Sequence, residues 1–166
     1  MKIQNPNKGF SLIEVLISLT VIVTALVGVI SLATASISSI RINKSKIIAA
    51  NLAEEGLELI KNIRDNNWLN YKRQAGTWLD GLASDDYRVQ YDKENLLVFD
   101  NAPLKIDNNG FYQYDTGIDT RFYRKVIIQK ISDDQIKVVI EITWQESGRS
   151  NLITAEVRLY NWLKEI

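Results

Sequence analysis

The feature that most constrains this chain is an apolar segment, residues 10–40, close to its N-terminus. Only one charged residue, Glu14, lies inside it, and a basic residue and a glycine, Lys8 and Gly9, stand directly before it. A helix needs about 20 apolar residues to cross the hydrocarbon core of a bilayer. The segment is therefore long enough to span a membrane. Glu14 needs a separate explanation, because a charge at the centre of such a segment costs roughly 3 kcal/mol, and somewhat less near its end.

Two ordinary interpretations of this segment are a single membrane anchor and a secretory signal peptide. In the signal peptide, Lys2 and Lys8 would form the basic region, and Ala33-Thr34-Ala35 would form the small-residue cleavage site. The apolar segment is longer than the usual roughly 7–15 residues of a signal peptide, and it contains an acid. Both properties argue against the signal peptide.

The sequence from Gly9 to Glu14, GFSLIE, resembles the class III signal of type IV pilins and type II secretion pseudopilins. The resemblance implies that a prepilin peptidase removes a leader, residues 1–9, by cutting between Gly9 and Phe10. It also implies that this enzyme methylates the new N-terminal residue, Phe10. The orientation with the N-terminus inside is likewise taken from the resemblance, since the Lys and Arg residues on either side of the segment leave the topology ambiguous.

The position of Glu14 has a physical explanation under this resemblance. Cleavage after Gly9 leaves an α-amine on Phe10, at the same end of the helix as Glu14, where the helix dipole favours an anion. The Phe10 ammonium of one subunit is expected to pair with Glu14 of a neighbour, because an unpaired carboxylate in an apolar surrounding is strongly disfavoured. Glu14 is therefore predicted to be an assembly contact that sets the register between packed helices.

Beyond residue 40 the apolar pattern becomes one-sided without a helix breaker. Apolar residues recur at spacings of three, four and seven: Ile42, Ala49, Leu52, Ala53, Ile60 and Ile63. This pattern predicts one helix from about Phe10 to about Asp65, stopped by Asn66-Asn67. Residues 10–40 are predicted to be the transmembrane or filament-core half, and residues 41–66 the amphipathic half that packs on a globular domain. Residues 50–58, ANLAEEGLE, followed by residues 63–68, IRDNNW, also resemble minor pilins of the pilus-modification class.

Residues 67–166 are predicted to form a globular domain that ends in an antiparallel β-meander. Residues 122–131, 136–144 and 152–163 are rich in Val, Ile, Tyr and Trp, and short polar loops separate them. In the middle run, apolar residues alternate on one face: Ile136, Val138, Ile140, Ile142 and Trp144. The fold class predicted from all these patterns is α+β. The expected arrangement, a long N-terminal helix packed on a C-terminal antiparallel β-sheet, resembles the pilin architecture.

The first part of this domain gives weaker signals. Residues 87–91 and 96–99 predict a short hairpin, and residues 111–114 predict a further short strand. Pro103 and residues 107–110 predict a loop or tight turn. Because the chain has no Cys, the C-terminal disulfide loop frequent in pilins has no counterpart here. Packing of large side chains is expected to anchor the domain instead: Trp68, Tyr71, Trp78, Leu79, Trp144, Tyr160 and Trp162.

The composition argues against an enzyme and against a nucleic-acid-binding protein. The chain of 166 residues has no Cys and no His, and its 20 basic residues equal its 20 acidic residues. The commonest general base and transition-metal ligand are thus missing, and no catalytic residue, cofactor or metal site is predicted. A basic and aromatic stripe is interpreted as a solvated strand face rather than a DNA site: Arg121, Phe122, Tyr123, Arg124, Lys125 and Lys130. An oxygen-rich segment is interpreted as a loop rather than a calcium site: Asp107, Asn109, Asp115 and Asp119.

The function predicted from the sequence is a minor pilin or pseudopilin of a type IV pilus or a type II secretion-like filament. The resemblance implies as partners other pilins or pseudopilins, the prepilin peptidase, the inner-membrane assembly platform and, before assembly, the lipid bilayer. It implies a single-pass protein of the inner membrane with a cytoplasmic N-terminus, which later enters a cell-surface pilus or a periplasmic pseudopilus. The alternative is a monomeric, membrane-anchored binding domain that does not polymerise.

Overall fold

The computed structural model describes residues 9–72 and 76–162. Within these residues one α-helix, α1 (Leu12–Lys72), precedes all the strands. The strands are β1 (Asp86–Arg88), β2 (Leu97–Val98), β3 (Pro103–Ile106), β4 (Tyr112–Gln113), β5 (Ile118–Ser132), β6 (Gln135–Glu146) and β7 (Arg149–Tyr160). The predicted leader lies outside the described residues except for Gly9.

The chain divides into two compact units, one ending at Asn43 and the other beginning at Lys44. The first unit contains the apolar part of α1, in which every described residue is exposed. The second unit contains the remainder of α1 and the β-sheet. The expected α+β arrangement, a long N-terminal helix packed on a C-terminal antiparallel sheet, is confirmed.

The helix ends at Lys72, so the predicted end near Asp65 is wrong. Asn67, which was expected to help stop the helix, donates a hydrogen bond from Nδ2 to the carbonyl of Asp80 at 2.7 Å. Trp68, in the next position, is only 4% exposed. These tertiary contacts stabilise the last turns of α1 where the local sequence favours a stop.

The strands form one antiparallel sheet with β5 at its centre. One edge of β5 pairs with β6, and β6 pairs with β7, which confirms the predicted meander. The other edge of β5 is shared by β1 and β3, which pair with different parts of it. β2 pairs with β1 and β4 pairs with β3, so these two shortest strands lie at the margin of the sheet.

The short elements agree with most of the weaker predictions. The hairpin is confirmed as β1 and β2, with Tyr87 opposite Val98, and β4 lies within residues 111–114. The tight turn is also present, because the N–H of Gly110 donates to the carbonyl of Asp107 at 3.1 Å. Pro103 was wrongly assigned to a loop, since it begins β3. The first position of a strand tolerates proline, which cannot donate to the ladder.

The core of the second unit lies between α1 and the inner face of the sheet. The predicted alternation in β6 is confirmed, because its inward side chains are at most 3% exposed: Ile136, Val138, Ile140, Ile142 and Trp144. The predicted helix positions Ala49, Leu52, Ala53 and Ile60 are also buried. Ile42 is 36% exposed, however, and Ser45, which the pattern did not single out, is fully buried.

The predicted anchors divide into buried and exposed groups. Three are buried, as expected: Trp68, Trp78 and Trp144. Leu79 is partly buried against the core, and the side chain of Tyr71 lies outside the described part. Tyr160 is 50% exposed and Trp162 is 69% exposed, so neither is buried, although the Trp162 ring contacts that of Trp68 edge-on at 4.7 Å.

Gly56 lies where α1 packs against the sheet. A Cβ atom at this position would come within 3.2 Å of Cγ2 of Ile140 and 3.4 Å of Cδ of Arg124. The missing side chain lets the helix backbone approach β5 and β6 closely. This glycine therefore has a packing role, whereas Gly28 has no neighbour within 4 Å of the same position.

Candidate functional site

The predicted cleavage bond lies just outside the helix. Gly9 and Phe10 belong to no helix or strand, and α1 begins at Leu12. Both residues are exposed, and the Phe10 side chain is 83% exposed. The Gly9–Phe10 bond is therefore in non-helical, accessible backbone, which is the form of substrate that a peptidase can bind.

Glu14 lies in the first turn of α1. The carbonyl of Ser11 accepts the backbone N–H groups of Glu14 at 3.0 Å and Val15 at 3.3 Å. Ser11 is thus the N-cap residue and Glu14 the third helical residue, which is the spacing of a capping box. The Glu14 carboxylate sits near the unpaired N–H groups of the helix end, where the helix dipole favours a negative charge. This cap was not predicted, although its signal, Ser followed three residues later by Glu, is present in the sequence.

The remaining apolar part of α1 bonds its threonine hydroxyls to its own backbone. Oγ1 of Thr20 donates to the carbonyl of Leu16 at 2.8 Å, and Oγ1 of Thr34 donates to that of Ile30 at 3.1 Å. The large apolar side chains of residues 10–40 are between 49% and 83% exposed. By length and composition the helix could cross a membrane. Its surface suits a lipid or helical environment far better than water.

Residues 4–34 match the family model of the prokaryotic N-terminal methylation motif. The match includes the Gly9–Phe10 bond, Glu14 and much of the apolar helix. It supports a type IV pilin-like class of protein that is processed as a prepilin. Searches of curated proteins and of solved structures find no match to the chain.

The prepilin-type motif, together with the apolar helix that follows it, indicates a membrane-anchored, pilin-like protein. Such a motif implies processing by a prepilin peptidase and assembly with other pilins in general terms. The structure adds that the predicted cleavage bond, Gly9–Phe10, precedes the helix and that Glu14 lies within its first turn. The family match therefore directs attention to the segment that begins at Gly9 and continues into α1.

The oxygen-rich segment does not gather its side chains around one point. Oδ1 of Asp107 accepts the backbone N–H of Asn109 at 2.8 Å, and Asp119 lies in β5. Asp115 forms an ion pair with Lys93 at 2.9 Å. The hydrogen bond from the Lys93 ammonium is the main reason why the pKa of Asp115 is below its ordinary value. In the described ranges, no three acidic side chains are grouped so that they could hold a metal ion.

Arg124, one of the basic residues of the stripe on β5, does not face solvent. Its side chain is fully buried. Nη2 donates to the carbonyl of Val89 at 2.6 Å, and Nη1 donates to the carbonyl of Leu52 at 3.3 Å and to Oε1 of Glu55 at 3.1 Å. The guanidinium therefore joins β5 to α1 and to the segment after β1. The interpretation of this residue as surface was wrong, because strand alternation alone does not distinguish a buried Arg from an exposed one.

The other cations of the stripe are each paired with an acid. The pairs are Arg121 with Glu146 at 2.9 Å, Lys125 with Asp86 at 2.6 Å and Lys130 with Asp133 at 2.7 Å. Because these acids neutralise the cations of the stripe, little positive charge is left to bind the phosphate backbone of DNA.

A buried carboxylate that the sequence did not reveal lies at the end of β6. The Glu146 side chain is only 5% exposed. The pKa of Glu146 is below its ordinary value mainly because the Ser45 hydroxyl donates a hydrogen bond to the carboxylate. The positive charge of Arg121 also lowers this pKa, whereas desolvation by burial raises it. This cluster joins the start of the globular part of α1 to the β6–β7 hairpin, so its role is to fix the helix on the sheet.

Proposed function

We propose that this protein is a minor pilin or pseudopilin that is cut between Gly9 and Phe10 and methylated at Phe10. It then assembles into a filament through the apolar part of α1. The observation that carries the proposal is the methylation-motif match over residues 4–34, followed by a helix whose apolar side chains are exposed. An exposed apolar surface of this extent requires lipid or other helices to cover it. Lipid covers this surface while the protein is in the membrane, and the helices of other subunits cover it in the filament core.

The pairing proposed for Glu14 is supported by its surroundings on the helix. At about 100° per residue, the residues between 15 and 28 that lie within about 40° of Glu14 are Ser18, Val21, Ala25 and Gly28. Three of these four residues are small, which allows another helix to approach closely. The Phe10 ammonium, which exists only after the cut, is then the nearest cation that a neighbouring subunit can offer to Glu14.

The proposed location follows from the same processing step. The chain is inserted in the inner membrane with its N-terminus in the cytoplasm, where the peptidase cuts, and with residues 67–166 outside. The inner-membrane platform and other pilins or pseudopilins then take it into a surface pilus or a periplasmic pseudopilus. The rival proposal, a monomeric anchored binding domain, shares the membrane anchor but has no need for Glu14.

Mass spectrometry of the mature protein, co-expressed with a prepilin peptidase, tests the processing step. We expect an N-terminal peptide that begins with N-methylated Phe10. Gly9→Val should leave the leader attached, whereas Gly28→Ala, a glycine substitution with nothing within 4 Å of the new Cβ atom, should be processed normally. An intact Met1 in the wild-type protein would contradict the proposal, and so would a cut after Ala35.

Glu14→Gln tests the assembly step separately from processing. Leaving the Phe10 ammonium without its carboxylate partner in an apolar surrounding costs about 3–5 kcal/mol. The yield of assembled filament should therefore fall by at least roughly 100-fold, while methylation of Phe10 continues. Thr20→Val is the matched control, because the Thr20 hydroxyl bonds only to its own helix. If the Gln variant assembles as well as the wild type, the pairing role is wrong. If the methylated wild type never assembles beside other pilins, the monomeric rival is correct.

A further inference from the structure

The last strand, β7, forms a long free edge of the sheet. It pairs with β6 and with no other strand in the described part of the chain. The ladder is regular from Arg149 opposite Glu146 to Tyr160 opposite Gln135, without a register shift. Proteins commonly protect such edges by keeping them short or by adding proline or a bulge, because free backbone groups can pair with another strand. β7 has 12 residues, no proline and no bulge, and its only protection of this kind is three charged side chains, Arg149, Glu156 and Arg158.

The turn between β6 and β7 determines which backbone groups are free. Ser147 and Gly148 have φ angles of 52° and 73°, as in a two-residue type I′ hairpin. The flanking residues, Glu146 and Arg149, then form a hydrogen-bonded pair, and such pairs recur at every second residue. The odd-numbered residues of β7 therefore bond to β6. The N–H and C=O groups of the even-numbered residues, from 150 to 160, face the free edge.

The inner face of β7 is apolar and incompletely covered. Ile153, Ala155 and Val157 are partly buried against the core, whereas the corresponding residues of β6 are fully buried. A further strand beyond β7 would continue this face and cover the remaining apolar surface.

The outer face of β7 carries a charge without a counter-charge. Arg158 lies opposite Lys137 in the ladder, so two cations face each other, which is unfavourable. Lys137 is paired with Glu156 at 2.9 Å, whereas Arg158 has no ion pair among residues 9–72 and 76–162. A carboxylate on an added strand, placed opposite Arg158, would neutralise it.

We propose that the free edge of β7 is a docking site for an extended strand of a different protein. This strand places apolar side chains beside Ile153, Ala155 and Val157, and an acidic side chain opposite Arg158. Backbone hydrogen bonds to the even-numbered residues supply the affinity, and the alternating side chains supply the specificity.

A second copy of this chain fits the chemistry of the edge but not its direction. Two β7 strands paired antiparallel about Val157 would place Glu156 of each copy opposite Arg158 of the other. The α1 residues 44–72 run in the same direction as β7, since Ser45 lies near Glu146, before β7, and Trp68 contacts Trp162, after it. The paired copies would therefore have antiparallel helices. In the filament proposed above, all subunits have the same polarity, so neighbouring copies do not form this two-fold pair.

A synthetic peptide of residues 149–160 is a suitable probe, because its Glu156 can lie opposite Arg158 of the protein. Since the peptide has no membrane anchor, it is free to pair with β7 in the antiparallel direction. We expect the labelled peptide to bind the full-length chain in detergent micelles, measured by fluorescence anisotropy. Thr154→Pro should weaken binding at least tenfold, because it removes an N–H that faces the free edge, and should leave the melting temperature nearly unchanged. Ala155→Pro is the matched control and should lower the melting temperature, because that N–H bonds to β6.

A charge exchange tests the register. Arg158→Glu in the protein should weaken binding of the peptide at least tenfold, and a peptide carrying Glu156→Arg should restore it. Equal binding by the wild type and both variants would overturn the proposal, as would no saturable binding. If the full-length chain dimerises and Thr154→Pro abolishes the dimer, the partner is a second copy of this chain, and the proposal of a different protein is wrong. None of these measurements depends on cleavage at Gly9, so their failure would leave the proposed filament role unaffected.

Discussion

Replacing Arg124 by alanine should strongly destabilise the globular unit. The guanidinium is fully buried and bonds to the carbonyls of Val89 and Leu52 and to the Glu55 carboxylate. The substitution removes all of these bonds at once. It also leaves a cavity beneath Gly56, where the Arg124 side chain now packs.

The expected magnitude follows from the separate contributions. A buried carbonyl that loses its donor costs about 1–3 kcal/mol, and the carbonyl of Val89 accepts the shortest of these bonds. Glu55 is 34% exposed, so water can solvate it, and the ion pair itself contributes at most about 1 kcal/mol. With the cavity included, Arg124→Ala should cost about 3–5 kcal/mol. Arg124→Met fills most of the volume and should cost about 1–3 kcal/mol, and Glu55→Gln at most about 1 kcal/mol.

Urea unfolding of the full-length protein in a nonionic detergent measures these differences. All four Trp residues lie between residues 68 and 162, so Trp fluorescence reports the globular unit and not the apolar part of α1. The variants should rank in stability from Glu55→Gln through Arg124→Met to Arg124→Ala. A typical surface substitution changes the free energy of unfolding by less than about 0.5 kcal/mol. If Arg124→Ala costs no more than that, the guanidinium does not join α1 to the sheet. A cost of Glu55→Gln equal to that of Arg124→Ala would show that charge pairing, rather than bonds to the backbone, supplies the stability.

Substitutions at three further positions, Gly56, Glu146 and Asp107, test other parts of the globular unit. Gly56→Leu should destabilise it by roughly 2 kcal/mol or more, because even a Cβ atom meets the sheet at 3.2 Å. An equally large loss for Ala50→Leu, at an exposed position in the same part of α1, measured by the same urea unfolding, would refute the packing argument. The folded pKa of Glu146 lies below its ordinary value of 4.5, so its contribution to stability is present above that pH and is lost as the pH falls further. Melting temperatures should therefore decline less steeply below pH 4.5 in Glu146→Gln than in the wild type, and identical pH profiles would contradict this. Asp107→Ala removes the acceptor for two backbone N–H groups in its turn and should cost about 1–2 kcal/mol in urea unfolding. Asp107→Asn keeps that acceptor and should recover most of the loss.

Elements whose signals lie in neighbouring residues were predictable from the sequence. The processing motif, the apolar half of α1 and the alternation in β6 are each encoded by consecutive side chains, and their spacing gives the period of a helix or a strand. The hairpin of β1 and β2 and the turn at residues 107–110 were predictable for the same reason. In the candidate site, Gly9, Phe10 and Glu14 are proposed from one short stretch, and the family model over residues 4–34 matches that stretch.

The burial of particular polar groups was decided only by the tertiary structure. Arg124 bonds to Leu52, which is 72 positions away, and to Val89, which is 35 positions away. Whether a charged residue in a strand faces water or the core depends on such distant partners, which no local period encodes. The continuation of α1 to Lys72, the start of a strand at Pro103 and the burial of Glu146 were missed for this reason. The N-terminal segment matches a family model through consecutive residues and was therefore recognisable from the sequence. The globular unit is instead held together by contacts between residues far apart in the chain.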